Sequence, residues 1–207
     1  MERKRNMEKG KLLVISGPSG VGKSTVIAGL MKKYPDMYFS VSATTRAMRN
    51  GDVNGVTYHF KTPEEFQAMV EQDAFYEHAT YATNSYGTPK APVDQRLNAG
   101  VDVILDIEPQ GALQIREKCE DAVLIFLVAP SFEVLEQRLR GRGDTAEADI
   151  EKRLQQARWE YAQASQYDYI VVSDVPEHTV KNIDAILTAE KLRAGRMIDV
   201  VKLEESL

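Results

Sequence analysis

The 207-residue chain contains one cysteine, no long apolar segment and no excess of basic over acidic side chains. Because Cys119 has no second cysteine to pair with, the sequence indicates a reducing compartment and predicts a cytoplasmic protein. The longest apolar run, residues 122–129, has the length of a buried strand and falls short of the ~18 residues that a membrane span needs, so no membrane partner is predicted. A net charge of −5 argues against a nucleic-acid partner, since nucleic-acid-binding proteins usually carry a basic surface.

Short apolar runs alternate with segments of helical periodicity along most of the chain. This alternation is typical of βαβ units and predicts an α/β fold with a doubly wound parallel sheet. The five predicted strands are residues 11–16, 37–42, 101–107, 122–129 and 167–173. After the last strand, a helix is predicted from Pro176 to Ala194, because its apolar residues recur on one face.

Residues 1–9 are predicted to be a flexible tail and residues 10–207 a single domain. Two segments of this domain interrupt the alternation of strands and helices. The first segment, residues 42–92, combines short strands with a helix that Thr62 caps, and it is interpreted as a small α+β insertion. The second segment, residues 138–158, is charged, opens on a glycine-containing loop and then becomes helical, as a closing lid would. The core is therefore predicted to comprise residues 10–41, 93–137 and 159–207.

The loop GPSGVGKST at residues 17–25 matches the pattern G-x-x-x-x-G-K-[ST] and lies between a predicted strand and a predicted helix. In this context such a loop binds a nucleotide triphosphate, because its backbone N–H groups surround the phosphates. Lys23 would supply positive charge to the β- and γ-phosphates, and the Ser24 hydroxyl would be a ligand for the Mg²⁺ of Mg-ATP. Asp106, at the end of a predicted buried strand, is expected near the same ion. The predicted ATP-binding residues are Gly17, Pro18, Ser19, Gly20, Val21, Gly22, Lys23, Ser24 and Thr25.

The acceptor of the phosphate is indicated by residues elsewhere in the chain. A Ras-type GTPase is excluded because the chain has no [NT]-K-x-D segment to read the base, and 207 residues leave little room for the further domains of an ATP-driven machine. A small-molecule kinase fits better, since arginines suit both an anionic acceptor and a phosphoryl group in transfer. Arg46 and Arg49 lie three residues apart in the insertion, with Tyr58 nearby, and the predicted lid contains Arg142 and Arg153.

Several segments together resemble the bacterial guanylate kinases, and the resemblance extends over residues 10–194. They are GPSGVGKST, SATTRAMRNGDVNGVTYHF, FYEHA, NSYGT, ILDIEPQGALQIR and LRGRGD followed by KRL. The resemblance implies a P-loop NTPase core of three layers. It also implies Mg²⁺-dependent, direct in-line transfer of the γ-phosphoryl group from ATP to GMP, with dGMP as a second acceptor.

The resemblance further implies a role for each matching side chain. The GMP phosphate would be held by Arg46, Arg49, Tyr58 and Tyr86, and the guanine would be read by Ser42, Glu77 and Thr88. Asp106 and Glu108 would lie beside the acceptor nucleotide. The transferred group would be stabilised by Lys23, Arg142 and Arg153. One ionised carboxylate at Glu77 can accept hydrogen bonds from both N1–H and the 2-amino group of guanine, whereas adenine would present a lone pair to it.

Two other hypotheses stay open at this point. Guanylate-kinase-like domains of scaffolding proteins bind peptides without catalysis, although their ATP loop is usually degraded and here it is intact. The second alternative is a kinase for another nucleoside monophosphate, and the combination of Ser42 with Glu77 argues against it. The charged C-terminal stretch from Glu190 onward is predicted to be a solvated helix, with a contact in a homo-oligomer as the alternative.

Overall fold

The computed structural model describes residues 9–81, 83–141 and 147–202, which form two β-sheets with helices packed around them. The predicted N-terminal tail, apart from Lys9, lies outside these residues. In chain order the strands are β1 Leu12–Ser16, β2 Tyr38–Phe39, β3 Ala43–Thr44, β4 His59–Phe60, β5 Phe75–Tyr81, β6 Asn84–Pro89, β7 Val103–Asp106, β8 Val123–Val128 and β9 Tyr169–Val172. The helices are α1 Lys23–Lys33, α2 Pro63–Glu71, α3 Lys90–Asn98, α4 Pro109–Lys118, α5 Phe132–Arg140, α6 Glu147–Ala162, α7 Pro176–Lys191 and α8 Ala194–Lys202, and a 3₁₀ helix spans Ala164–Gln166.

Five parallel strands form the larger sheet, in the order β2-β7-β1-β8-β9. The central strand β1 is buried along its whole length, as an unbroken apolar sequence predicts for a strand covered on both faces. Leu13 and Ile15 pack with helices α1, α5, α6 and α7, whereas Leu12 and Val14 pack with α3 and α4 on the other face. This arrangement confirms the predicted three-layer, doubly wound α/β fold.

The strand order reverses at β1, whose two neighbours are β7 and β8. In open α/β sheets, ligands bind at the carboxyl ends of the strands beside such a reversal. The glycine-rich loop leaves β1 at this edge, and Asp106 ends β7 at the same level because it pairs in register with Ile15. The topology therefore places the loop and Asp106 side by side.

The smaller sheet belongs to the insertion and has the order β4-β3-β6-β5, in which β3 and β4 are parallel and the other pairs antiparallel. Thr62 caps helix α2 as predicted, and it forms a capping box with Glu65: Glu65 N donates to Thr62 Oγ1 at 3.2 Å, and Thr62 N donates to Glu65 Oε2 at 2.9 Å. Phe66 of this helix stacks on Phe75 of β5, with ring centroids 4.6 Å apart. The insertion is therefore an α+β unit with a small core of its own.

The helix predicted from Pro176 to Ala194 is α7, which ends three residues earlier at Lys191, and the helix predicted from Glu190 onward is α8, which begins at Ala194. Ile183 and Leu187 of α7 are buried against the core, which confirms the predicted apolar face. Within the described ranges, every helix is too short or too polar to cross a lipid bilayer.

Helix α6 extends from the predicted lid into the core without interruption over 16 residues. Its apolar side buries Ile150 and Leu154 against the larger sheet's core. Near its C-terminal end, the Tyr161 hydroxyl accepts a hydrogen bond from Ala129 N at 3.0 Å, just after β8. The lid bounds of 138–158 remain a prediction. They assign the end of α5 and most of α6 to the lid, and the last residues of α6 to the core.

Candidate active site

The loop between β1 and α1 turns on three glycines. Gly17, Gly20 and Gly22 have φ angles of 139°, 86° and 104°, which residues with a side chain rarely adopt. A Cβ at Gly17 would also lie only 2.4 Å from the carbonyl oxygen of Leu127 in β8. The loop conformation therefore depends on glycine, and it brings the N-terminus of α1 to the end of β1. Backbone N–H groups without helical partners at such a terminus favour an anion.

The predicted ATP-binding residues differ in what they can offer to a ligand. The side chain of Val21 is fully buried in the core, and its N–H donates to Pro18 O at 3.2 Å. Ser24 and Thr25 are exposed on the first turn of α1, so their hydroxyl groups are open to a ligand. The loop side chains and backbone that line the adjoining cleft belong to Gly17, Ser19 and Lys23.

Lys23, the first residue of α1, folds back on the loop. Its Nζ donates hydrogen bonds to Gly17 O at 2.6 Å and to Pro18 O at 3.4 Å. Burial raises the pKa of the neighbouring Asp106, and the charge of Lys23 partly opposes this rise. The loop and β7 thus present one ammonium and one carboxyl group to the same space.

A cleft of about 810 Å³ lies between the loop, the insertion and α6. It unites side chains that are distant in sequence and that the sequence assigned to a single phosphoryl-transfer site. The predicted residues in its lining are Gly17, Ser19, Lys23, Ser42, Tyr58, Glu77, Tyr86, Asp106, Glu108 and Arg153. Arg49 is exposed and outside this lining, and Arg142 lies outside the described residues.

Glu77 and Thr88 are paired across the antiparallel ladder of β5 and β6. Thr88 Oγ1 donates a hydrogen bond to Glu77 Oε1 at 2.6 Å, and the two residues are only 1% and 6% exposed, respectively. Burial raises the pKa of Glu77, although hydrogen bonds from the side chain and backbone of Thr88 oppose this rise. Thr88 therefore lies behind the carboxylate, and Glu77 presents that carboxylate to the cleft.

Tyr58 and Tyr86 form an aromatic corner of the cleft, with ring centroids 6.0 Å apart in an edge-to-face arrangement. The guanidinium group of Arg46 lies 5.3 Å from the Tyr58 ring centroid, and its Nη2 is 2.9 Å from Asp52 Oδ2. Asp52 also accepts a hydrogen bond from Arg49 N at 2.7 Å, and this bond is the main cause that holds the pKa of Asp52 below its usual range. Asp52 thus organises the loop of the two arginines, a role that the sequence-based predictions missed. The available signal was an acidic residue three positions after Arg49.

Helix α6 forms another wall of the cleft with one polar face. Besides the predicted Arg153, this face contributes Asp149, Lys152, Gln156 and Glu160. None of these four was predicted, although their spacing of three or four residues is the signal of a single helix face. The segment was predicted to be helical, but which of its faces meets the cleft depends on how Ile150 and Leu154 pack against the core.

Glu160 is the most deeply buried member of this face and is 5% exposed. Its Oε1 accepts a hydrogen bond from Gln156 Nε2 at 3.2 Å, whereas Oε2 has no hydrogen-bond partner among the described residues. Burial raises the pKa of Glu160, while the hydrogen bond from Gln156 and the charge of Lys23 lower it. Burial therefore disfavours the ionised form of this carboxyl group.

In the described part of the chain, no three or more His, Cys, Asp or Glu side chains are grouped as a metal site. Mg²⁺ needs no such group, because it usually binds through one or two protein oxygens together with phosphate oxygens and water. The loop and β7 supply two oxygen donors of this kind, the Ser24 hydroxyl and the Asp106 carboxyl. The residues present fit Mg²⁺ delivered with a nucleotide.

Known proteins resemble this chain in sequence and in structure. The family model described as guanylate kinase matches residues 9–190. The chain is 49% identical to a guanylate kinase of Synechococcus sp. (strain JA-3-3Ab) over 86% of this chain and 82% of the relative. It is 47% identical to a guanylate kinase of Thermus thermophilus over 94% of this chain and 88% of the relative. The crystal structure of guanylate kinase from Anaplasma phagocytophilum aligns with a TM-score of 0.74 at 34% identity, covering 91% of this chain and 90% of that one. The chain therefore belongs to the guanylate kinase family.

Proposed function

We propose how this enzyme carries out the reaction of its family, the ATP-dependent phosphorylation of GMP to GDP. ATP occupies the loop at residues 17–25, and GMP occupies the insertion at the other end of the same cleft. The γ-phosphoryl group passes directly from one nucleotide to the other, because positioning and charge stabilisation carry most phosphoryl-transfer catalysis. The observation that carries this proposal is that Lys23 of the loop and Glu77 of the insertion line one cleft of about 810 Å³.

At the donor end, the hydrogen bonds of Lys23 to the loop carbonyls hold its ammonium group where the phosphates bind. Phosphate oxygens replace Gly17 O and Pro18 O as acceptors when ATP arrives. Ser24 and Asp106 are the residues that would hold Mg²⁺, which when bound neutralises phosphate charge and orients the phosphates. The exposed first turn of α1 leaves the Ser24 hydroxyl free for this role.

At the acceptor end, Glu77 reads guanine through its N1–H and 2-amino donors, and Ser42 offers a hydroxyl to the base. Thr88 acts on guanine through Glu77, because its own hydroxyl already donates to that carboxylate. A site built around such hydrogen bonds can reject a mismatched analogue by roughly 10⁴-fold or more, since its buried polar groups would be left unpaired. The same recognition accepts dGMP, because none of these groups addresses the ribose 2′-hydroxyl.

The GMP phosphate lies by the aromatic corner, where Tyr58 and Tyr86 can donate their hydroxyl groups. Arg46 and Arg49 supply guanidinium groups to the same phosphate, and Asp52 holds both residues of this loop in place. Guanidinium forks suit phosphate oxygens because they donate two parallel hydrogen bonds.

During transfer, positive charge gathers around the phosphoryl group from Lys23, Arg153 and Arg142. Asp106 and Glu108, at the end of β7 and the start of α4, flank the acceptor nucleotide. Closure of the lid, residues 138–158, excludes water from the reaction, which strengthens these electrostatic interactions and prevents hydrolysis of ATP.

The reaction is tested by Mg²⁺-dependent ADP formation with GMP, dGMP, AMP, CMP and UMP as separate acceptors. Turnover with GMP and dGMP but not with the others is expected, and equal turnover with AMP would refute the base assignment. Glu77→Gln should abolish the preference for GMP. If no acceptor supports turnover and calorimetry detects no ATP binding, the chain would be a silent binding module.

Arg153→Ala tests the phosphoryl-transfer role separately. It should lower kcat by roughly 10²-fold or more while the affinity for GMP is retained, as expected when an interaction acts only in the transition state. Arg193→Ala is the control, because Arg193 is exposed, lies outside the lid and the cleft lining, and pairs with Glu190. Unchanged turnover in Arg153→Ala would remove this residue from the mechanism.

We also propose that the enzyme works in the cytoplasm. The thiol of Cys119 is free, as is usual for a cysteine in a reducing compartment. Cell fractionation that recovers the protein with a cytoplasmic marker would support this location, and recovery with membranes would contradict it.

A further inference from the structure

The carboxylate of Glu77 is positioned by contacts that extend beyond its hydrogen bond to Thr88. Strand β5 carries an irregularity just before Glu77, because Phe75 pairs with Pro89 while Glu77 already pairs with Thr88. An extra residue of this kind redirects the following side chain, and such bulges are frequent beside functional sites. The bulge therefore aims Glu77 toward the cleft and toward α4.

Helix α4 is hydrogen-bonded to strand β5 at the residue that follows Glu77. The side-chain amide of Gln114 donates through Nε2 to His78 O at 2.9 Å and accepts through Oε1 from His78 N at 3.2 Å. Two hydrogen bonds from one amide group fix the backbone of β5 relative to α4. Because α4 starts just after Asp106, the insertion is held in register with the core at this point.

Gly111 of α4 lies directly against the carboxylate of Glu77. A Cβ at this position would be 2.6 Å from Glu77 Oε2, 3.0 Å from Cδ and 3.2 Å from Cγ. Gly111 is inside the helix and is not one of the glycines with positive φ, so its backbone conformation would accept alanine. Glycine is needed here for the space that it leaves, and the Glu77 carboxylate fits between this space and the Thr88 hydroxyl.

We propose that Gly111 is a specificity-determining positioning residue for the nucleobase. The missing side chain lets Glu77 Oε2 occupy the position from which it accepts the second of guanine's two donor groups. This inference rests on the proposed function, in which Glu77 reads guanine. A methyl group at 111 would have to move Oε2 by about 0.8 Å to reach an ordinary contact of 3.4 Å. Since Thr88 holds Oε1, the carboxylate would turn out of alignment with the base.

The probe for this role is inosine monophosphate, because hypoxanthine retains N1–H and O6 of guanine and lacks the 2-amino group. A displacement of about 1 Å can cost roughly 10²-fold in rate, so Gly111→Ala should lower kcat/KM for GMP by about 10- to 100-fold. It should lower kcat/KM for IMP much less, because IMP has no second donor to lose. The GMP:IMP ratio of kcat/KM should therefore fall, with ATP affinity unchanged.

The matched control is Gly195→Ala, a helical glycine of α8 that has no atom within 4 Å of its added Cβ. It should leave the GMP:IMP ratio at the value of the unaltered enzyme. A GMP:IMP ratio that stays unchanged in Gly111→Ala would overturn the proposed role.

Thermal melting provides a readout that does not depend on activity. In the presence of Glu77, Gly111→Ala should lower the melting temperature because the methyl group collides with the carboxylate. In a Glu77→Ala background, the same substitution should raise it, since alanine favours a helix over glycine. Equal shifts in the two backgrounds would show that the methyl group does not act through Glu77, and would overturn the inference.

The two proposals fail in different ways. If Glu77→Ala retains the preference for GMP over AMP and IMP, the base reader itself is wrongly assigned. If Glu77→Ala loses that preference while Gly111→Ala keeps it, only the role of Gly111 is refuted.

Discussion

Thr88→Val tests whether the base reader works as an ionised carboxylate. The substitution keeps a buried side chain of similar volume and removes the hydroxyl that donates to Glu77 Oε1 at 2.6 Å. This hydroxyl favours the ionised form of Glu77, while burial raises its pKa. Without the hydroxyl, protonation therefore becomes easier. A buried hydrogen bond to a charged group contributes about 1.5–3 kcal/mol, and about 1.4 kcal/mol corresponds to a tenfold change in a protonation equilibrium.

The expected result is a shift of the acid limb of the pH profile of kcat/KM for GMP. If Glu77 binds guanine as an ionised carboxylate, as proposed, the limb should move to higher pH by about 1–2 pH units. The assay is the initial rate of ADP formation at subsaturating GMP across the acidic and neutral range. Thr88→Ser, which retains the hydroxyl, should restore the original limb. A limb that does not move in Thr88→Val would refute the idea that Thr88 tunes an ionised Glu77.

Three further substitutions test other parts of the site. Glu160→Gln should raise the melting temperature at neutral pH but not near pH 4. Burial raises the pKa of Glu160, so the folded state loses stability as the pH rises from the ordinary glutamate pKa through the raised one. An unchanged melting temperature at neutral pH would contradict this explanation. Gly17→Ala should weaken ATP binding in calorimetry at least about tenfold, since its Cβ would lie 2.4 Å from Leu127 O, and unimpaired binding would show that the loop can relax. Arg46→Lys should raise the KM for GMP about tenfold without changing that for ATP, because lysine lacks the planar fork; an unaltered KM would confine Arg46 to its pairing with Asp52.

Features with local causes could be predicted from the sequence. The glycines and Lys23 of the loop act within a few residues, and the capping box of Thr62 involves a residue only three positions away. The strands of the core were predicted because each is a short, largely apolar run, and for the central strands β1, β7 and β8 burial on both faces follows from that composition. The edge strands β2 and β9 keep exposed apolar residues, such as Phe39 and Ile170. The loop pattern, the clustered arginines and the family resemblance together assigned most of the residues that line the cleft.

Features that depend on contacts between distant segments could not be predicted. The position of Thr88 behind Glu77 follows from the register of two strands and from the bulge before Glu77. The pairing of Arg46 with Asp52 depends on how their loop turns. Likewise, the sequence shows Gly111 only as a glycine in a predicted helix. Its proximity to the carboxylate of Glu77, in the smaller sheet, depends on how the chain folds.

Helix α6 has a consequence for how this enzyme could be altered. Its cleft-lining residues, Asp149, Lys152, Arg153, Gln156 and Glu160, stand on one unbroken helix joined to the core at Tyr161. With a rise of about 1.5 Å per residue, this row spans roughly 16 Å. Gln156 and Glu160 share a hydrogen bond, so substitutions at these two positions should be epistatic, and the effect of the double variant should differ from the sum of the single effects. Asp149 lies at the other end of the row, so its substitution should add to theirs.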